Sequence, residues 1–295
     1  MRNLDSERAQ SERTVHRVVD CFYPGKSFPA LSVTGQACAL NCKHCGRNYL
    51  KGMIPSTSPA ALLGIADGLA RRGAKGFLLS GGSDPSGKVD LSRFISTIER
   101  IKATTNLKIN AHIGLSSRKE LEELVSAGID SFSIDVFGDD ETIEEVLGLK
   151  SRANDYFAVM KDLKELGAKR IAPHLCIGIN QGKIKGEFKA ISKLESMPPD
   201  ALILLSLIPT KGTPYESMRP PSFEAVKEVV ERARVCLPHV RLIMGCMRSR
   251  SNRDSECDLV RAGLDGIVLP SAGTVQRLRN EGYVIRKRAE CCSLV

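Results

Sequence analysis

The chain has 295 residues, a formal net charge of +9 at neutral pH and a pI near 9.1, with 42% apolar and 26% charged residues. No apolar run approaches the roughly 20 residues of a membrane helix, and the polar N-terminus lacks the apolar core of a secretory signal, so a cytoplasmic location is expected. Ten cysteines in a reducing compartment point to metal ligation rather than a disulfide framework.

In chain order, residues 1–27 read as an N-terminal helical extension. Short apolar runs at 28–35, 76–82, 107–114, 130–138, 169–180, 200–209, 240–246 and 265–271 then read as eight strands. Amphipathic stretches separate them. Ser58-Pro59 opens a helix to Arg72 that Gly73 stops, Ser117 opens one that Gly128 ends, Asp140 opens ETIEEVLGL and Ser222 opens FEAVKEVVERARV. Eight strands with intervening helices predict an α/β fold, a (β/α)8 TIM-type barrel, with an open doubly wound sheet as the alternative. No Pro- or Ser-rich linker divides the chain, so one domain is expected: a barrel over 28–271 and a C-terminal helix with a cysteine-containing tail over 272–295. The last six residues, Glu290 to Val295, carry little apolar area, and the barrel is expected to survive their loss.

In such a barrel the chemistry sits at the C-terminal ends of the strands. Cys38, Cys42 and Cys45 follow the first expected strand in a C-x3-C-x2-C pattern, with Gly46 next. A structural zinc site takes four ligands, usually from two C-x-x-C units. An iron–sulfur cube takes one thiolate per iron, so three cysteines leave one iron open to a non-protein ligand. A zinc site completed from elsewhere, with His44 as a candidate, is the alternative. On the third strand, alternation puts Asn110 and His112 on one face. Among the other cysteines, Cys236 and Cys257 read as small core residues. Cys21, Cys246, Cys291 and Cys292 form a candidate set for a second cluster, with the tail folded back over the barrel mouth; a loose exposed tail is the alternative.

The C-x3-C-x2-C pattern with a barrel behind it resembles the radical S-adenosylmethionine (SAM) superfamily. The stretches FPALSVTG, CALNCKHC, NAHIGL and SIDVFGDDETI resemble its biotin-synthase-related archaeal-type group, which includes the subunits of the two-component lipoyl synthase. That resemblance implies a [4Fe-4S] cluster on Cys38, Cys42 and Cys45, with SAM chelated at its open iron and cleaved to a 5′-deoxyadenosyl radical. It implies SAM contacts from Gly81, Gly82 and Ser83 (Ser83 standing where Glu is common), and from Asn110, His112 and Asp135. It also implies adenine contacts from Gly178 and Leu207, and a sacrificial auxiliary [4Fe-4S] cluster. The reaction implied is sulfur insertion into an octanoyl chain on a lipoyl carrier domain. A second radical SAM subunit and an electron donor such as ferredoxin would be partners. Carrier domains of this kind are commonly acidic, which suits a chain of net charge +9.

Two other readings stay open on the residues: a radical SAM methylase or rearrangement enzyme without sulfur insertion, and a zinc-stabilised binding protein docking RNA through its basic C-terminal region. Basic residues do concentrate in Arg248–Arg253 and Arg277–Arg288 and attract anions. Aromatics at 5%, no Trp and no RNP or helix-turn-helix pattern argue against a dedicated nucleic-acid module.

Overall fold

The computed structural model describes residues 18–250 and 255–295. Its strands are β1 (Val18–Phe22), β2 (Ala30–Ser32), β3 (Ile54–Pro55), β4 (Gly76–Ser80), β5 (Lys108–His112), β6 (Ser131–Asp135), β7 (Ile171–Ile177), β8 (Ala201–Ser206), β9 (Arg241–Met244), β10 (Gly266–Val268) and β11 (Val284–Arg288). All join one sheet in the order β11-β1-β10-β9-β8-β7-β6-β5-β4-β2-β3, and every pairing is parallel. The eight expected strands are β2 and β4 to β10. The sheet curls as an open barrel of the α/β kind, with β3 and β11 as its two edges.

One expectation is corrected at the N-terminus. Residues 18–22 were expected in a helical extension, yet Val-Val-Asp-Cys-Phe is β1, paired with β10 on one side and β11 on the other. Both partners lie more than 240 residues away in sequence, so local periodicity carries no sign of the pairing. Residues 1–17 of that expected extension lie outside the described residues.

The connecting helices are α1 (Pro59–Arg71), α2 (Ile95–Thr104), α3 (Arg118–Ser126), α4 (Asp140–Thr142), α5 (Ala153–Glu165), α6 (Glu187–Ser196), α7 (Phe223–Cys236), α8 (Glu256–Arg261) and α9 (Ala272–Asn280). Their starts follow from capping chemistry. Ser58 accepts from the Ala61 N–H, Ser222 from the Ala225 N–H, and Ser117 with Glu120 closes a reciprocal capping box. The helix expected to open at Asp140 is capped one residue earlier, by Asp139, and runs on as a single π turn over Ile143–Leu147. Gly148, at φ 73°, stops it.

Alternation along the strands sorts the core into two regions. Leu31, Phe77, Leu79, Ile109, Phe132 and Ile134 pack outward against the helices. The inward face is polar from β2 to β7, with Ser80, Asn110, His112, Ser133, Asp135, His174 and Cys176, and apolar from β8 round to β1 apart from Asp20 and Arg241. Asp20, fully buried on the inward face of β1, is gripped by Arg241 of β9 and by Arg286 and Arg288 of β11. Burial pushes its carboxyl up, but the hydrogen bonds from Arg286 and Arg288 overturn that and hold it at about 2. Part of the C-terminal basic run is thus consumed inside the fold, and Arg248 likewise pairs with buried Glu256.

After β11 the chain turns inside the barrel. A 3-10 turn, Cys292–Leu294, packs on β6, β7 and β8. Ser293 is fully buried, its carbonyl accepting from Ser131 Oγ at 2.6 Å and its hydroxyl meeting Ser133 Oγ at 3.3 Å. Cys292 joins Phe22, Ala172, Ile203, Ile243 and Val268 in the interior apolar cluster. The tail is therefore an internal plug. It neither hangs loose nor folds back over the mouth, and it is part of what fills the barrel.

Candidate active site

The loop between β2 and β3 carries Cys38, Cys42 and Cys45. Left-handed backbone at Gly46 (φ 48°) and Arg47 (φ 65°) reverses the chain directly after the last cysteine, which is why Gly stands there. The Gly46 N–H donates to the Cys42 carbonyl at 2.9 Å, and Asn48 bonds the Cys45 carbonyl through both its backbone N–H and its side-chain amide. Three neighbouring loops tether this one. Ala39 N–H reaches Ser83 O after β4, Lys43 N–H reaches Val146 O in the π turn after β6, and Lys43 O accepts from Tyr215 N–H after β8. The P-x-x-G-T-P stretch of residues 209–214 thus leads into a brace for the cysteine loop.

The thiols themselves interact. Cys42 hydrogen-bonds Cys45, which lowers the Cys45 thiol to about 7 against the opposing effect of burial, and the same bond and burial raise Cys42. The Ser83 N–H donates to Cys38 Sγ at 3.3 Å. Gly82 donates its N–H to Thr34 Oγ1 at 2.7 Å, and a Cβ on Gly82 would lie 2.0 Å from Ala37 O and 2.5 Å from Cys38 Cβ. Glycine is required there so that the β4 loop can press against the cysteine loop. His44 Nδ1 is buried beside the thiols without a partner. These residues fit the three thiolate ligands of a cluster. Among the described residues no three His, Cys, Asp or Glu converge on a single ion, whereas a cube assigns each thiolate its own iron.

At the mouth, Asp135 ends β6 with its side chain about half exposed and its Oδ2 3.5 Å from His112 Nε2. The His112 and His174 rings lie 5.4 Å apart. Burial, and then the neighbouring His112, hold His174 down at about 4, so it is neutral, and its Nδ1 has no partner. Burial raises the Cys176 thiol beside it. Gly178 follows β7 at φ +69°, its N–H donating to buried Glu187 at 2.7 Å. Leu207, just past the end of β8, is 1% exposed and buried in the main apolar core, so its side chain has no free surface to offer an adenine.

The second cysteine set is also revised. Cys246 is exposed just past the end of β9, where its thiol senses the charge of Cys291. Cys291 hydrogen-bonds Cys292 and accepts from Asn110 Nδ2 at 3.6 Å. Cys292 in turn feels Cys246. Cys291 and Cys292 lie on the inward side, whereas Cys246 is exposed at the strand's C-terminal end. Cys21 does not belong with them: odd-numbered residues of β1 face the helices, and Cys21 is fully buried in that outward core, its thiol raised by burial to about 11. Thr34, Glu187 and the π turn, which shape the site through backbone contacts, were not anticipated. The only sequence trace of Thr34 is a hydroxyl near the end of the first expected strand.

The sequence profile of the radical SAM superfamily matches residues 32–184, just over half of the chain and including the cysteine loop. The chain is 22% identical over 269 residues to biotin synthase of Synechococcus sp. (strain CC9902), covering 86% of this chain and 78% of that one. It is 23% identical over 283 residues to biotin synthase of Campylobacter hominis, covering 87% and 82%. Among solved structures, methylornithine synthase (PylB) superposes with a TM-score of 0.63 at 16% identity over 92% of this chain and 84% of that one. The FeFe-hydrogenase maturase HydG from Carboxydothermus hydrogenoformans does so at 0.64 and 17%, covering 91% and 68%. At such identities these likenesses concern the fold.

Proposed function

The chain belongs to the radical SAM superfamily, and on that premise we propose that it inserts sulfur into an octanoyl chain borne by a lipoyl carrier domain. It would act with a second radical SAM subunit and a ferredoxin-type electron donor. The observation that carries this reading is the seating of adjacent Cys291 and Cys292 inside the barrel, where Asn110 donates to the Cys291 thiol. Its biotin synthase relatives support it at low identity. The zinc-stabilised binding reading falls with the family assignment.

When bound, a cluster with SAM would supply a carbon-centred radical, and a second cluster would supply the sulfur. The chain's own part is to hold and to exclude. Cys38, Cys42 and Cys45 offer three thiolates, and Cys45 ionises more readily than Cys42. The Ser83 N–H donates to Cys38 Sγ and holds it in place. Asp135 and His112 offer an acceptor and an imidazole at the rim for polar groups of SAM. Of the inner apolar cluster, Ile203, Ile243 and Val268 are buried against the tail, and the partly exposed Leu205 is the aliphatic surface left to meet an alkyl chain. Asn110 holds Cys291 from the polar wall.

Anaerobic reconstitution of wild type, Cys42→Ala and Cys291→Ala/Cys292→Ala tests this, with iron content, 5′-deoxyadenosine and thiolated octanoyl peptide read together. Cys42→Ala should lose SAM cleavage. The double variant should lose about four irons and all thiolated product while still cleaving SAM. A double variant with full iron and full thiolation would refute the sulfur-insertion reading.

A further inference from the structure

We propose a second ligand site, for a phosphate-bearing small molecule, at the end of the barrel opposite the cysteine loop. A cavity of about 560 Å3 opens there. That lies within the roughly 300–1,000 Å3 typical of small-molecule pockets. Its wall is made where strands begin: Lys75 immediately precedes β4, Lys108 opens β5, and Lys169 and Arg170 immediately precede β7. Conserving a fold does not call for four cations around one space, since like charges repel. Asp130, which also lines the cavity, balances only Lys108 among them. Its carboxylate is taken by Lys102 Nζ at 2.5 Å, Lys108 Nζ at 3.2 Å and the Ile109 N–H at 2.9 Å. Glu290, on the far wall, lies 3.5 Å from Arg288.

Lys75, Lys169 and Arg170 are left without an acidic partner among the described residues, and Arg170 Nη1 is buried with no acceptor at all. A guanidinium N–H taken out of water without an acceptor carries a desolvation cost that a bound oxyanion removes. Arginine matches the tetrahedral oxygens of phosphate through its planar fork, and the lysines add point charges. Gly73, Ala74 and Leu294 leave a less polar margin for the rest of the molecule. A concave space of this size, rather than a flat basic face, favours a small molecule over a nucleic-acid or protein surface. The site is independent of the sulfur-insertion reading, and none of its residues touches the cysteine loop.

The test is calorimetric titration of the full chain with inorganic pyrophosphate and, separately, ATP, with SAM present at saturation so that its site is not the one measured. Wild type should bind pyrophosphate, and Lys169→Ala/Arg170→Ala should bind it at least roughly tenfold more weakly, with Arg170→Lys in between. Lys75→Glu, on an exposed side chain, should weaken binding too and guards against a double variant that fails to fold. ATP binding more tightly than pyrophosphate would identify the nucleotide as the better occupant. The proposal is overturned if wild type does not bind pyrophosphate or ATP, or if the folded variants bind as tightly as wild type. An RNA oligonucleotide that displaces pyrophosphate with a many-ion salt dependence would likewise overturn it, in favour of a nucleic-acid surface.

Discussion

Asn110 and Cys291 are 181 residues apart in sequence, yet the Asn110 amide on β5 donates to the Cys291 thiol at 3.6 Å inside the barrel. This contact joins the polar inner wall to the C-terminal tail. Ser133 extends the link, donating from Oγ to Asn110 Oδ1 at 2.9 Å and meeting Ser293 at 3.3 Å.

Removal of Glu290 to Val295 should therefore destabilise the barrel, contrary to what the small apolar area of the segment suggests. Ser131 loses its Ser293 acceptor and Cys292 leaves the interior apolar cluster. Each buried hydroxyl left without a partner costs about 1–3 kcal/mol. Urea unfolding should show a midpoint lowered accordingly. An unchanged midpoint would mean that the tail is not seated in the interior.

Asp20→Asn should be more damaging than its position in a short strand implies. Three arginines from β9 and β11 would keep their charges and lose the carboxylate that joins them. Breaking a buried pair from one side costs about 3–5 kcal/mol. In wild type the carboxyl titrates at about 2 folded against 3.8 as the ordinary value. Its contribution is thus fully present above pH 3.8 and is lost as pH falls through about 2, worth on the order of 2 kcal/mol. The variant should lack that acid limb in a pH series of denaturant melts.

His174 should supply a different pH window. Its folded value of about 4 lies below the ordinary 6.5, so between those values the unfolded chain binds more protons than the folded one. Stability should fall as pH drops from about 6.5 to about 4, by on the order of 3 kcal/mol from this group. His174→Gln should flatten that part of the curve. An identical slope in wild type and variant would assign the loss elsewhere.

Gly82→Ala should spare the fold and spoil the site. The new Cβ would meet Ala37 O at 2.0 Å and Cys38 Cβ at 2.5 Å, so the β4 loop and the cysteine loop must separate. Iron content after anaerobic reconstitution should drop severalfold, while far-UV circular dichroism stays at the wild-type value. Full iron loading in this variant would show that the two loops have room to give.

The eight core strands, the capped helices after Ser58, Ser117 and Ser222, and the cysteine loop were legible because each depends on neighbours in sequence. Alternation, capping hydroxyls and C-x3-C-x2-C spacing are local properties. Asp140 was misplaced by one residue because Asp139 and Asp140 can both cap, and only the fold selects between them. Gly81 and Gly82 were readable as a close-approach turn, but what they approach, Thr34 and Cys38, lies more than 40 residues earlier.

The sequence by itself determined the α/β alternation, the superfamily and the three thiols at the mouth, since local chemistry suffices for each. The tertiary structure alone decided that β1 joins β10 and β11, that Asp20 gathers three arginines, and that Cys21 points outward while Cys291 and Cys292 point inward. The physical reason is parallel pairing across the whole length of the chain. In a parallel sheet a strand's neighbours are set by long-range register, and a shift of one residue would exchange its inward and outward faces. Cys21 and Asp20 are adjacent in sequence and lie on opposite sides of the wall for that reason.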